Sequence, residues 1–311
     1  MKIVFFGSDA FSIKALEACL HSGMEVVLVV TVPPKKKGRG LKLEPSEIFG
    51  YCQAKKIPVV EYTTLRDAKV AQELLALRPD IFVVASYGKI IPNILLEIPK
   101  YRLNVHPSLL PKYRGAAPIH WPILNGDTET GVSIIDIAEK LDAGDIYYQE
   151  KIAIGPKADA AQLASELARL SYGILKKVLD EVKKGRLSGV PQNENEATLA
   201  PQLSKEDGKL SLAEMSAEEI DRKVRGLQPW PGAYCLIGDE RLAILKAELG
   251  DPASDAKSGT VLTVAKSGGI DVATGRGVLK ILLVKPEGKK AMSAADFIRG
   301  KHLAPGAALL S

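Results

Sequence analysis

Only three cysteines occur in the 311-residue chain, Cys19, Cys52 and Cys235, and no two form a C-x-x-C pair. A disulfide framework or a zinc knuckle is therefore not expected, and a reducing cytoplasm is the default compartment. Long hydrophobic runs are missing as well. No stretch approaches the roughly 20 apolar residues of a spanning helix. The opening "MKIVFFGSDAFSIKAL" has a short apolar run that meets Gly, Ser and Asp at once. It lacks the apolar length and the small-residue cleavage site of a signal peptide. A soluble intracellular protein without a membrane partner is expected. The chain also lacks a G-x-S-x-G elbow and any cysteine immediately beside a histidine, so it offers no activated nucleophile. Gly7 and Ser8 are not followed by the G-x-G-x-x-G pattern of a dinucleotide site, which disfavours nicotinamide chemistry.

What is present describes an ordinary globular enzyme. Apolar residues make up 46% and charged residues 25%, which excludes disorder or low complexity for the bulk of the chain. The formal charge of +5 permits a polyanionic partner without demanding one. "KIVFF", "EVVLVVTV" at 25–32 and "DIFVVAS" at 80–86 read as strands buried on both faces of a parallel sheet. Helical spacing at 11–22 and in "SEIFGYCQAKK" and "DAKVAQELLALR" fills the gaps between them. "RLNVH" and "TGVSIIDI" are further strands, "PIHWPILNG" is helical, and an amphipathic helix spans 159–184. Strand–helix alternation implies an α/β, doubly wound, Rossmann-like parallel sheet over residues 1–187. Residues 188–204, rich in Pro, Asn and Gln, read as a linker. Beyond them, over 205–311, Ser216 and Glu219 form a capping box. Short strands separated by Gly-rich turns then suggest a small OB-like β-barrel.

The chemistry concentrates in "NVHPSLLPKYRGAAPI", residues 104–119. Asn104 and His106 close a predicted strand two residues apart, so their side chains share a face. Pro107 keeps His106 out of helical conformations. Ligands of a parallel α/β domain bind beyond the carboxyl ends of its strands. An amide and an imidazole there suit a reaction through a tetrahedral oxyanion, the amide donating to the developing charge while the imidazole manages a proton. A carboxylate should orient the imidazole. Asp142 in "EKLDAGDIYY" is taken, although Asp136 and Asp145 lie near it in sequence. Direct transfer between two bound substrates fits better than a covalent intermediate. His21, His120 and His302 receive no role.

Together with "LDAGDI", "QPWPGAY" and "GKKAMSAADF", that loop resembles the formyltransferases that use 10-formyltetrahydrofolate, and the resemblance extends over the whole chain. It implies Asn104, His106 and Asp142 as catalytic positions, and Ser108, Leu109, Leu110 and Pro111 as the segment that touches folate. It implies 10-formyltetrahydrofolate as cosubstrate, with no metal. The acceptor would be the amino group of initiator methionyl-tRNA, for translation initiation. The basic run "KKKGRGLK" would contact the acceptor arm through Lys35, Lys36, Lys37, Arg39 and Lys42, and the protein would act as a monomer. A formyltransferase for an amino group on a nucleotide sugar is the alternative, since it would share the same triad. Two departures stand out: "GSDAFS" replaces the usual Gly-Thr-Pro-x-Phe-Ala, and Lys140 stands where glycine commonly precedes Leu-Asp.

Overall fold

The computed structural model describes residues 1–37, 42–251, 256–265 and 268–308. Two compact units emerge. The first comprises 1–118, 129–153 and 164–201, and the second comprises 119–128, 154–163 and 202–311.

Along the chain, β1 (Lys2–Gly7), α1 (Ala10–Leu20) and β2 (Glu25–Thr31) lead to the antiparallel pair β3 (Lys35–Lys37) and β4 (Lys42–Glu44). The chain continues through α2 (Glu47–Lys55), β5 (Val59–Glu61), α3 (Ala68–Ala76), β6 (Ile81–Ala85), α4 (Asn93–Leu96) and β7 (Tyr101–His106). β8 (Arg114–Gly115), α5 (His120–Asn125), β9 (Glu129–Ile135), β10 (Ile146–Ala153) and α6 (Ala160–Lys183) follow, and β11 (Leu199–Ala200) closes this part of the chain. Ile3, Val4, Phe5 and Phe6 are fully buried, which is why β1 is continuously apolar rather than alternating. Side-chain caps start the helices: Asp9 for α1, Ser46 for α2 and Asp67 for α3.

The seven-stranded sheet has the order β10-β9-β7-β6-β1-β2-β5. Strands β7, β6, β1, β2 and β5 are parallel, as expected. The sheet as a whole is mixed, because β9 runs antiparallel to β7 and β10 antiparallel to β9. For β10 the cause is connection length: residues 136–145 are too few for the crossover that a parallel return needs. The strand order reverses at β1, between β2 and β6, and that switch point opens a crevice at the carboxyl ends of the strands.

The unit boundaries differ from a plain 1–187, 188–204, 205–311 division. Residues 188–201 pack with the first unit, while 119–128 and 154–163 pack with the second. In the second unit, α7 (Ala217–Gly226) lies against α5. A Cβ at Gly226 would stand 3.1–3.2 Å from the side chains of Leu124 and Ile123, so glycine eases the close approach of the two helices. His120 Nδ1 lies 2.8 Å from the Gly226 carbonyl, Arg222 Nε donates to Leu124 O at 3.1 Å, and Arg225 donates to Ala158 O at 2.9 Å. Thus His120, given no role from sequence, helps to satisfy the end of α7.

The small β domain consists of β12 (Tyr234–Ile237), β13 (Glu240–Leu249), β14 (Val261–Val264), β15 (Ile270–Ala273) and β16 (Val278–Pro286), with β17 (Met292–Ser293) and α8 (Ala294–Gly300). Its antiparallel order is β12-β13-β16-β15-β14, with β17 also on β16. Among the described residues, β12 and β14 end this order without pairing to each other. The Ser216–Glu219 capping box starts α7, and Ile220 and Val224 enter one core with Ile244, Val272 and Ile281. No helix among the described residues is long and apolar enough to cross a membrane.

These boundaries set an expectation for truncation. Ending the chain at residue 201 removes α7 and uncovers Ile123, now 2% exposed. Each such side chain costs about 1.5–3 kcal/mol to expose. Such a fragment should aggregate or melt well below the full chain in light scattering and thermal denaturation. A monodisperse fragment with a cooperative melt at the full chain's temperature would contradict this.

Candidate active site

The last residues of β7 carry Asn104 and His106 to the carboxyl edge of the sheet, one strand from the switch point. The strand is extended, so both side chains emerge on one face. Asp142 arrives from the turn between β9 and β10. Arg102 holds the base of this turn, donating from Nε and a terminal nitrogen to the two oxygens of Asp136 at 3.2 and 2.9 Å. Gly144 packs so closely on the Asp136 backbone that any side chain there would overlap its carbonyl. Asp136 is thereby committed to the scaffold.

The structure brings Asn104, His106 and Asp142 together. Asn104 Nδ2 donates to Asp142 Oδ1 at 3.1 Å. Asp142 Oδ2 accepts the Gly115 backbone N–H at 2.9 Å and lies 3.5 Å from His106 Nδ1. The side chains of His106 and Asp142 are only 5% and 7% exposed. The tighter contact of His106 is elsewhere, with Nε2 at 2.9 Å from the Tyr113 carbonyl. A ring that faces a carbonyl and a carboxylate can donate to both only when both nitrogens carry hydrogen. Asp142 therefore fixes Asn104 and Gly115 more directly than it fixes His106.

Two residues here hold left-handed backbone without being glycine: Tyr113 at φ 64° and Asp142 at φ 52°. Such conformations cost on the order of 1–3 kcal/mol and persist only where neighbours over-determine them. Gly115, at φ 123°, must be glycine for a second reason, since a Cβ would stand 2.7 Å from the Ala200 carbonyl.

Residues 108–111 form a pinned loop. Ser133 Oγ donates to Ser108 O at 2.6 Å and accepts from Leu110 N at 3.1 Å. Gln149 Nε2 reaches Leu110 O at 2.7 Å and Ser133 Oγ at 2.8 Å. Ser108 is fully buried and its hydroxyl is spent on Lys112 O at 2.7 Å. Leu110 is buried too, so Leu109 and Pro111 are the partly exposed apolar members. Tyr87 follows β6 at the same edge of the sheet and packs edge-on against Phe6. It is buried, and its hydroxyl has no partner among the described residues. Burial pushes that phenol up to about 12. The partly exposed apolar side chains of Leu109 and Pro111, in the loop that follows His106, fit a flat heterocycle with polar edges. Tyr87, Ser133 and Gln149 were not singled out from sequence, because lone polar residues in strands and loops carry no periodic signal.

The basic segment is paired on both sides of residues 38–41. Lys35, Lys36 and Lys37 form β3, Lys42 opens β4, and Lys35 pairs with Glu44 in register. Arg39 lies outside the described residues. Lys140 forms an ion pair with Glu194.

With this geometry in view, the chain belongs to the formyl transferase family: that family's model matches residues 1–179, and the model of the formyl transferase C-terminal domain matches 202–302. Among its relatives, the methionyl-tRNA formyltransferase of Myxococcus xanthus is 42% identical over 98% of this chain and 96% of its own length. The methionyl-tRNA formyltransferase of Thermus thermophilus is 41% identical over 99% of both. Solved structures share the fold at lower identity. HypX from Aquifex aeolicus, in complex with tetrahydrofolic acid, superposes with a TM-score of 0.66 at 18% identity over 96% of this chain. The chain spans 47% of that protein's length. An N-formyltransferase from Helicobacter canadensis, in complex with folinic acid and dTDP-3-aminofucose, gives 0.66 at 20% identity over 90% of this chain and 98% of its own.

Proposed function

We propose that the protein transfers the formyl group of 10-formyltetrahydrofolate to the free α-amino group of the methionyl moiety of initiator methionyl-tRNA. The observation that carries the chemistry is the Asn104–His106–Asp142 cluster at a strand end, beside the pinned loop 108–111. The donor supplies an activated formyl carbon. Asn104 has two amide hydrogens, one engaged by Asp142, and the other serves the formyl oxygen as negative charge develops on it. When both His106 nitrogens carry hydrogen, Nε2–H holds the Tyr113 carbonyl, and the longer Nδ1 contact leaves its N–H the one more readily shared with the same oxygen. Asp142 keeps the amide aimed and offers a carboxylate toward the imidazole as charge accumulates. Loop 108–111 would hold the folate ring through Leu109, Pro111 and backbone groups, with Ser108 and Leu110 fixing its shape. The three buried cysteines are unpaired, in keeping with a reducing cytoplasm.

The choice of acceptor is supported by the full-length relatives, at 42% and 41% identity against 20% for the N-formyltransferase crystallised with an amino sugar nucleotide. The antiparallel pair β3–β4 gives a second handle. It follows β2 at the carboxyl edge of the sheet, where a bound acceptor can be reached. Replacing 35–42 by a short Gly-Ser turn should leave folate binding intact and weaken tRNA binding. It should also flatten the salt dependence by roughly 0.7–0.9 log units for each phosphate no longer neutralised. Arg39→Lys should cost more than any single Lys→Arg, because guanidinium grips phosphate bidentately. Binding isotherms at several salt concentrations check both, and an unchanged slope after loop replacement would return the run to ordinary solvated surface. Competition between methionyl-tRNA and a nucleotide-linked amino sugar for labelled formyl groups tests the acceptor itself. Preferential labelling of the sugar would overturn the assignment.

A further inference from the structure

Residues 188–201 have the composition of a tether, yet their hydrogen bonds converge on the catalytic turn. Gln192 Nε2 donates to the carbonyls of Asp142, at 2.7 Å, and Gly144, at 2.8 Å. Its Oε1 accepts from Arg114 Nε at 3.1 Å and from a terminal Arg114 nitrogen at 2.7 Å. Arg114 is 3% exposed, and its guanidinium also reaches Glu194 at 2.7 Å. The second oxygen of Glu194 takes Lys140, two residues before Asp142. Hydrogen bonds from Arg114 and Lys140 hold the Glu194 carboxyl down to about 2, so it stays ionised at neutral pH.

The same segment grips the other left-handed residue. Tyr113 N donates to Thr198 Oγ1 at 2.9 Å, and Arg114 N donates to Thr198 O at 2.9 Å. β11 pairs in parallel with β8. Tyr113 and Asp142, two non-glycine residues with left-handed backbone at the site, thus have a main-chain polar group tied to 192–198. The amide polarity of Gln192 is over-determined: two carbonyls require its N–H side and a guanidinium requires its oxygen.

We propose that Gln192 is a positioning residue for formyl transfer, holding the Asp142 turn in its left-handed conformation so that the carboxylate meets Asn104 and Gly115. It rests on the reading of Asp142 given above. Residues 188–201, which pack with the first unit, then support the catalytic turn. Gln192 touches no reacting atom, and it acts only through Asp142.

The test is a double-mutant cycle on the full chain, read in kcat, KM and Tm. Gln192→Ala removes the whole amide with its hydrogen bonds. Gln192→Glu keeps an acceptor for Arg114 but turns oxygens toward two carbonyls. Either change should lower kcat by about tenfold or more, with KM for both substrates little altered, because displacement of a catalytic group acts on the transition state. In an Asp142→Ala background the Gln192→Ala change should have no further effect on kcat. Unchanged kcat in both single Gln192 variants overturns the proposal, as does an equal loss with and without Asp142. If Asp142→Ala falls below detection, the single variants decide. A fall in kcat without a parallel fall in Tm supports positioning, whereas losses that track Tm overturn it. Normal turnover by Asp142→Ala would defeat the reading of Asp142 first, an outcome separate from failure of Gln192 alone.

Discussion

His106→Ala and Asn104→Ala are each expected to lower kcat by about 10²-fold or more while leaving KM for both substrates within a few-fold. The asymmetry follows from where the charge is. In the ground state the formyl oxygen is a neutral acceptor, and a lost N–H costs it little. In the transition state it carries developing negative charge beside the nearly buried His106 and Asp142, and a preorganised donor is worth most there. Asn104 is preorganised by Asp142 at 3.1 Å, and His106 by the Tyr113 carbonyl at 2.9 Å. Steady-state kinetics at saturating concentrations of both substrates check this. A variant that raises KM at constant kcat would make these residues ground-state binding groups.

Asp142→Ala should be the costlier change, lowering both kcat and stability. Its carboxylate serves Asn104 Nδ2 and Gly115 N and faces His106 Nδ1, with the side chain only 7% exposed. Removing it leaves buried donors unsatisfied, at about 1–3 kcal/mol for each such group. Alanine would also have to hold the left-handed φ of 52° without the carboxylate contacts. Asp142→Asn tests the same logic with shape retained. Whichever way the amide is turned, its NH₂ meets the donor on that side, Asn104 or Gly115. Both variants should therefore lose at least the 10²-fold expected of a single donor, with a lowered Tm for Asp142→Ala. A full-activity Asp142→Asn would show that charge and acceptor geometry at this position are dispensable.

Much of this was legible in the sequence for physical reasons. Strand β1 reads as continuously apolar because both faces are covered, and the two-residue spacing of Asn104 and His106 fixes their common face. From the residues alone Asp142 was one of three carboxylates near a turn, and the resemblance carried by "LDAGDI" singled it out. What separates it from Asp136 is a tertiary fact: Arg102 claims Asp136, and a close backbone approach at Gly144 swings Asp142 toward β7. The antiparallel turn-back into β10 was missed because "IYYQEKIA" alternates weakly and its residues are mostly half-buried. The role of 188–201 was illegible for a different reason. Pro, Asn and Gln mark a segment that buries little apolar surface, and nothing in composition says that an amide such as Gln192 will find two carbonyls and a guanidinium. Hydrogen-bond complementarity has no period. Likewise "PIHWPILNG" reads as a helix, but only packing shows that it belongs with α7 in the second unit.

We propose that one cluster, Asn104 with His106 and Asp142, drives formyl transfer to the amino group of methionyl-tRNA. The direct measurement is a single-turnover reaction with enzyme in excess over methionyl-tRNA at saturating 10-formyltetrahydrofolate, comparing the native chain with His106→Ala. Rapid formation of formylmethionyl-tRNA is expected from the native chain and a rate constant about 10²-fold or more lower from the variant, with both proteins binding the tRNA equally. No formylation by the native chain, or equal rates for the two proteins, would contradict it.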